Sequence, residues 1–181
     1  ALMLRLVSGF GTEILGAYSL ATRLVAFLRG VYMGISTASG TIVGQNQGAG
    51  LPARSERAAY LGTASAAILS AALLFVLSLF GRPILGLFDQ RPEILDLASG
   101  IMYYLILAVS AQGGLYVMTY VLSAAGEALA AMWVNILAVW GLQLPLCWAL
   151  SRVVGPQGLW IGMGIAALLS LGLILLRFRR G

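Results

Sequence analysis

The 181-residue chain contains no histidine, no lysine and a single cysteine, Cys147. Without histidine there is no Ser-His-Asp or Cys-His nucleophilic pair and no His/Cys metal site, and one cysteine forms no internal disulfide. Without lysine there is no P-loop and no Schiff base, which excludes the usual ATP-driven and imine chemistries. Charge is scarce too: 11 basic and 6 acidic side chains make up 9% of the residues, where a soluble domain carries about 25%. No enzyme is expected from such an inventory.

What the chain has in excess is apolar surface, with 60% hydrophobic residues. A membrane-spanning helix needs about 20 apolar residues, so this length makes room for about six spans on short connections and for no soluble domain. All 11 basic residues are Arg, scattered near segment ends rather than arrayed in a stripe with aromatics, so no nucleic-acid partner is expected. The start, Ala-Leu-Met-Leu-Arg, has no initiating Met and no cleavage pattern, which reads as no signal peptide and as a beginning partway through something longer.

Charge-free runs locate the spans. Arg57 and Arg82 bracket 24 uncharged residues, Leu97 to Gly126 gives 30, Ala128 to Ser151 gives 24, and Val153 to Leu176 another 24. Gly113 and Gly114 are expected to soften the second of these, Pro145 to interrupt the third, and Pro156 with Gly158 to form the entry turn of the fourth. Ile14 to Gln45 reads as one long helix, and the first dozen residues as the end of a further one, for an all-α bundle of five full spans and a remnant.

Alternate connections fall on alternate faces. Arg54, Arg57, Arg177, Arg179 and Arg180 gather on face one, and Arg82, Arg91 and Arg152 on face two beside Asp89, Glu93 and Asp96. The positive-inside bias puts face one and the C-terminus in the cytoplasm. In the loop at 82–96, Asp89 ahead of Pro92 and Glu93 reads as a helix start whose acidic first turn complements the dipole.

Charges inside a span are functional candidates by default. Arg23 and Arg29 both qualify; at 100° per residue they point to different faces, so they cannot serve one pocket. Arg23 is the candidate for a cavity charge that contacts substrate or pairs with a carboxylate, the alternative being a snorkelling structural residue. Glu13 reads as an interface residue at the start of the long helix. The larger polar groups in later spans are Gln112, Asn135 and Gln143, with Tyr103, Tyr104, Tyr116 and Tyr120. In lipid they need partners, so they face the bundle interior or a wet cavity. Gln112 and Tyr116 are four apart on one helix face, and Tyr120 extends it. Interhelical hydrogen bonding without a ligand is the competing reading.

The run Gly40-Thr41-Ile42-Val43-Gly44-Gln45-Asn46-Gln47-Gly48-Ala49-Gly50 carries a more specific signal. Gly44, Gly48 and Gly50 read as ending a membrane helix, with Gln45 and Asn46 capping exposed carbonyls. The run resembles the Val-Gly-Gln-Asn-x-Gly-Ala-Gly signature of the multidrug and toxic compound extrusion (MATE) family. Leu15 to Arg23, the turn Leu122-Ser123-Ala124-Ala125-Gly126-Glu127, Gln143-Leu144-Pro145-Leu146 and Gly155 to Trp160 are similar to further elements of that family.

The resemblance implies that residues 1–181 form the C-terminal transmembrane lobe, one six-helix half of a twelve-helix transporter whose N-terminal lobe is absent. It further implies a secondary antiporter of the cell membrane that exports organic, often cationic, drugs and xenobiotics in exchange for H+ or Na+ by alternating access. The partners implied are the N-terminal lobe, small organic substrates and the lipid bilayer, with no cofactor beyond the coupling ion. Gln112, Tyr116, Asn135 and Arg23 are the expected substrate-cavity residues. The family's acid in the tenth helix aligns with neutral Gln112, and the turn carries Ser123 and Glu127 in place of the family pattern, which points to an ion site in the other lobe. Two alternatives stand beside this reading. A lipid-linked oligosaccharide flippase of the same superfamily would show a more cationic cavity, and a non-transport scaffold would need no wet face.

Overall fold

The computed structural model describes residues 2–180; Ala1, Gly181 and the side chains of Leu2 and Arg180, the last a member of the C-terminal Arg cluster, lie outside the described set. In chain order the elements are α1 (Leu2–Ser8), α2 (Thr12–Gly48), α3 (Pro52–Leu79), α4 (Gly81–Leu85), α5 (Pro92–Ala124), α6 (Ala128–Ile136), a π-helical segment (Leu137–Gln143), α7 (Leu144–Val154) and α8 (Gln157–Arg180). The α6–π–α7 run is one continuous rod. With it, five helices among the described residues are long and apolar enough to cross a membrane, as the charge-free runs predict.

The central helix is α5, which packs against α2, α3 and α8, while α7 packs on α8. Small residues make these approaches close. A Cβ at Gly113 would lie 2.9 Å from Ser70 Oγ and 3.0 Å from the Ala66 carbonyl oxygen, and one at Gly162 would lie 2.9 Å from Cys147 Cα. Gly113 and Gly114 therefore do not soften the helix as expected. The chain runs through them as unbroken α-helix, and their missing side chains admit α3 and α8.

Two apolar clusters fill the bundle. Toward face two, Leu20, Leu24 and Leu28 of α2 pack with Ile101, Met102 and Leu105 of α5, and Tyr18 stacks on Trp160 with ring centroids 5.0 Å apart. Toward face one, Val43, Val117, Val121 and Ile174 form the second cluster. There the ends of α2, α5 and α8 meet: Ser55 Oγ donates to the Val43 carbonyl at 3.1 Å, Tyr60 sits edge-on to Phe178, and Arg177 pairs with Glu127 at 2.7 Å.

Both turns on face one use the same backbone device. After α2, the Gly50 N–H donates to the Gln47 carbonyl at 3.0 Å and the Leu51 N–H to that of Asn46 at 2.8 Å. After α5, the Gly126 N–H donates to Ser123 at 3.2 Å and the Glu127 N–H to Leu122 at 2.9 Å. This paired closure needs a residue in the left-handed region, and Gly50 (φ 70°) and Gly126 (φ 89°) supply it at no Cβ cost.

Face two is built differently. Asp89 does not start α5. The helix begins at Pro92 with Arg91 in the capping position, and the Asp89 carboxylate accepts from the Arg91 backbone N–H at 3.0 Å and from its guanidinium at 2.6 Å. Those contacts hold the Asp89 carboxyl well below its ordinary range, at about 2. The carboxylate closes the loop on itself instead of capping the helix, while Glu93 alone occupies the acidic first turn.

Candidate functional site

A cavity of about 140 Å³ opens between α2, α5, the α6–π–α7 rod and α8. Arg29 and Tyr32 of α2, Gln112 and Tyr116 of α5, Asn135 and Gln143 of the rod, and Ser170 of α8 line it. None sits in the first or last turn of its span, and Arg29 is the eighteenth of the 37 residues of α2. The cavity thus lies at mid-depth of the bundle, where a polar group facing lipid would find no partner and one facing the cavity can find one.

The rod that forms one wall owes its shape to Pro145. Proline has no N–H to give the carbonyl four residues back, and its ring crowds that carbonyl. The chain accommodates this by widening to π geometry over Leu137–Gln143, where the Leu144 N–H bonds back five residues to the Val139 carbonyl. The expected interruption is therefore a change of helical register before the proline, with no break in the rod. A π segment re-aims the side chains on either side of it; here Gln143 is its last residue and Asn135 stands two residues before its first.

Hydrogen bonding within the cavity is mostly local, which leaves donors and acceptors free. Asn135 Nδ2 donates to the Ala131 carbonyl at 3.0 Å and Ser170 Oγ to the Ala166 carbonyl at 2.7 Å, both one turn back on their own helices. The amides of Gln112 and Gln143 bond to no other side chain among the described residues. Tyr32 is 1% exposed and packs its ring at 46° to that of Tyr116, with centroids 5.1 Å apart. Tyr116 is 41% exposed and presents the aromatic edge of the site.

Gln112, Tyr116 and Asn135, three of the residues expected at a substrate cavity, are thus brought together, with Gln143 from the same polar set. Arg23 is not among them. It shares a shallow groove with Ala26, Phe27 and Phe88, the last of these in the loop between α4 and α5, so its guanidinium lies toward the face-two interface. The charge in the cavity is Arg29, with Tyr32 one turn beyond it on the same face of α2. The signal that finds Arg29 in the sequence is its central position in the long helix. Tyr120, expected to extend the Gln112–Tyr116 face, instead packs on Gly40, where a Cβ would sit 2.9 Å from its ring.

The motif residues lie at the face-one end of α2. Gly48 is the last helical residue and Gly50 makes the left-handed turn, as expected. Gly44 does not end the helix. It lies within α2, where its absent side chain faces the Ala124 carbonyl of α5 at 4.0 Å. Asn46 does bond an exposed carbonyl, with Nδ2 donating to Ile42 at 2.7 Å, but the terminal carbonyls are satisfied by backbone N–H groups of the turn and not by Gln45.

Comparison with known proteins bears on the family and the fold. The family model MatE matches residues 1–149. Among curated proteins, the chain is similar to an "FAD transporter" of Shewanella oneidensis, 26% identical over 93% of this chain and 37% of that protein. It is also similar to a "Probable multidrug resistance protein NorM" of Geobacillus kaustophilus, 28% identical over 96% of this chain and 38% of that protein. Among solved structures it superposes on the Vibrio cholerae MATE transporter VcmN in the bent form with a TM-score of 0.89 at 19% identity, over 97% of this chain and 40% of that one. The eukaryotic MATE transporter AtDTX14 matches with a TM-score of 0.74 at 22% identity, over 90% of this chain and 37% of that one. The chain spans well under half the length of these relatives. The family-model match over most of the chain, carried by a bundle of five membrane-length helices, establishes that this chain belongs to the MATE family of multi-pass membrane transporters.

Proposed function

We propose that the chain is the C-terminal lobe of a secondary antiporter that exports organic compounds, drugs and xenobiotics among them, in exchange for H+ or Na+. Its partner is the N-terminal lobe of the same transporter, and its C-terminus lies on the cytoplasmic side of the cell membrane. The observation that carries this reading is the mid-depth cavity. Gln112, Tyr116, Asn135 and Gln143 come from two separate helices to line one opening, which is where transporters of repeat architecture bind cargo. The cavity is small for a drug-sized ligand, which commonly occupies about 300 Å³ or more. It therefore serves as one wall of a site completed by the other lobe.

The six acidic residues, Glu13, Glu56, Asp89, Glu93, Asp96 and Glu127, all stand at helix ends or in loops, and none lines the cavity. We accordingly assign the coupling-ion site to the N-terminal lobe. The cytoplasmic assignment of face one draws on its five Arg side chains against three on face two.

The test is transport by the full-length protein in proteoliposomes. Cargo efflux is expected to follow an imposed H+ or Na+ gradient and to stop when nigericin or monensin collapses that gradient. Efflux that persists with both gradients collapsed would overturn the antiport reading.

A further inference from the structure

The cavity contains one formal charge, and it is positive. We infer that this lobe binds the anionic group of an organic substrate, a carboxylate or phosphate, on Arg29, with the planar body of the substrate against the Tyr32–Tyr116 pair. The inference rests on the transport reading above and names the class of cargo that the cavity selects.

Arg29 stands at the midpoint of a 37-residue helix, where a guanidinium facing lipid is costly, by about 2.5 to 3.5 kcal/mol on insertion scales. It lines the polar cavity instead, and no acidic residue lines that cavity with it. The ion pairs among the described residues join Arg82 to Asp96, Arg91 to Asp89 and Arg177 to Glu127, all near the faces, so Arg29 has no carboxylate partner there. Arg29 is exposed on the cavity side of α2, so a cation at this depth with no counter-charge among the described residues is open to an anion.

Gln112 and Gln143 supply amide N–H donors that are not engaged with other side chains, and amide donors add to a guanidinium in holding carboxylate or phosphate oxygens. The half-exposed Tyr116 ring, buttressed at 5.1 Å by buried Tyr32, gives a flat apolar edge beside these donors. A cavity of about 140 Å³ takes an anionic head group with part of a ring, not a whole large cargo molecule. An organic cation placed here meets like charge and no acceptor of full charge.

The test measures equilibrium binding of two planar tricyclic dyes of opposite charge, fluorescein and ethidium, to purified full-length protein by fluorescence anisotropy, with no ion gradient. Wild type is expected to bind fluorescein. Arg29→Gln is expected to weaken it about tenfold or more, the scale of a lost charge-assisted hydrogen bond, while ethidium affinity stays level or rises. Arg29→Lys keeps the charge but loses the planar fork and falls between the two. Gln112→Glu, which leaves Arg29 in place, is expected to weaken fluorescein and tighten ethidium, and it decides the matter if Arg29→Gln does not fold.

Fluorescein affinity unchanged in either variant would overturn the inference; so would absence of fluorescein binding to wild type. A carboxylate from the other lobe already paired with Arg29 would show itself as the first of these outcomes. Because binding is read without a gradient, gradient-independent efflux combined with Arg29-dependent binding would remove the antiport reading and leave this one standing.

Discussion

Arg23 and Arg29 stand six residues apart on one helix, yet they occupy unlike environments. Arg23 lies in an open groove with Ala26 and Phe27, and the loop residue Phe88 shows how near the groove is to face two. There an arginine stem covers apolar surface while its head reaches the interface, which costs little. Arg29 is deeper, on another side of α2, and faces amides and the Tyr116 ring from neighbouring helices. A charge on a membrane helix therefore acquires its meaning from depth and azimuth together. Depth along α2 already favours Arg29, and azimuth decides which neighbours it meets.

The comparison breaks most decisively under substitution. In full-length protein, Arg29→Gln is expected to cut efflux of an anionic dye about tenfold or more, whereas Arg23→Gln changes it by less than about twofold. Equal losses from the two variants would erase the distinction. A second, smaller contrast concerns water. In a Cys147→Ala background, a cysteine at Asn135 is expected to react with a charged, membrane-impermeant thiol reagent about tenfold faster than one at Phe27, because thiolate forms only where water reaches. Similar rates would mean that the cavity is dry or the groove wet.

Pro145→Ala sharpens the comparison by altering one region alone. Restoring the N–H permits the rod to return to α geometry and rotates Asn135 relative to Gln143, so efflux is expected to fall by about two- to fivefold, with thiol labelling at Phe27 unchanged. The smallest effect belongs to the loop beside the Arg23 groove. The Asp89 carboxyl is lowered to about 2, below its unfolded value of about 4. Its contribution to stability is therefore fully present above the unfolded value and is lost as pH falls through about 2. Between pH 5 and 8 the loop contributes no pH dependence, so Asp89→Asn is expected to leave the pH profile of efflux unchanged across that range.

Much of the bundle was legible because a charge-free run of membrane length admits one structure in lipid, and the Gly50 and Gly126 turns carry their own local reason. What escaped depends on contacts between distant segments. Gly113 and Gly114 invite a kink when read locally, and only the arrival of Ala66, Ser70 and Leu171 shows that they are packing surfaces. Tyr120 follows Tyr116 by one turn, but over two turns from Gln112 the helix drifts by about 80°, enough to carry its ring away from the cavity to Gly40. That Arg29 and not Arg23 lines the cavity has a related reason. Nothing near Arg23 in sequence says that Phe88, 65 positions on, folds beside it.

The most direct test of the account is a structure of the full-length transporter in a lipid nanodisc with fluorescein bound. The account predicts the dye at mid-depth, its carboxylate within hydrogen-bond distance of the Arg29 guanidinium and its ring against Tyr116. Dye bound elsewhere, with Arg29 paired to a carboxylate of the N-terminal lobe, would contradict it.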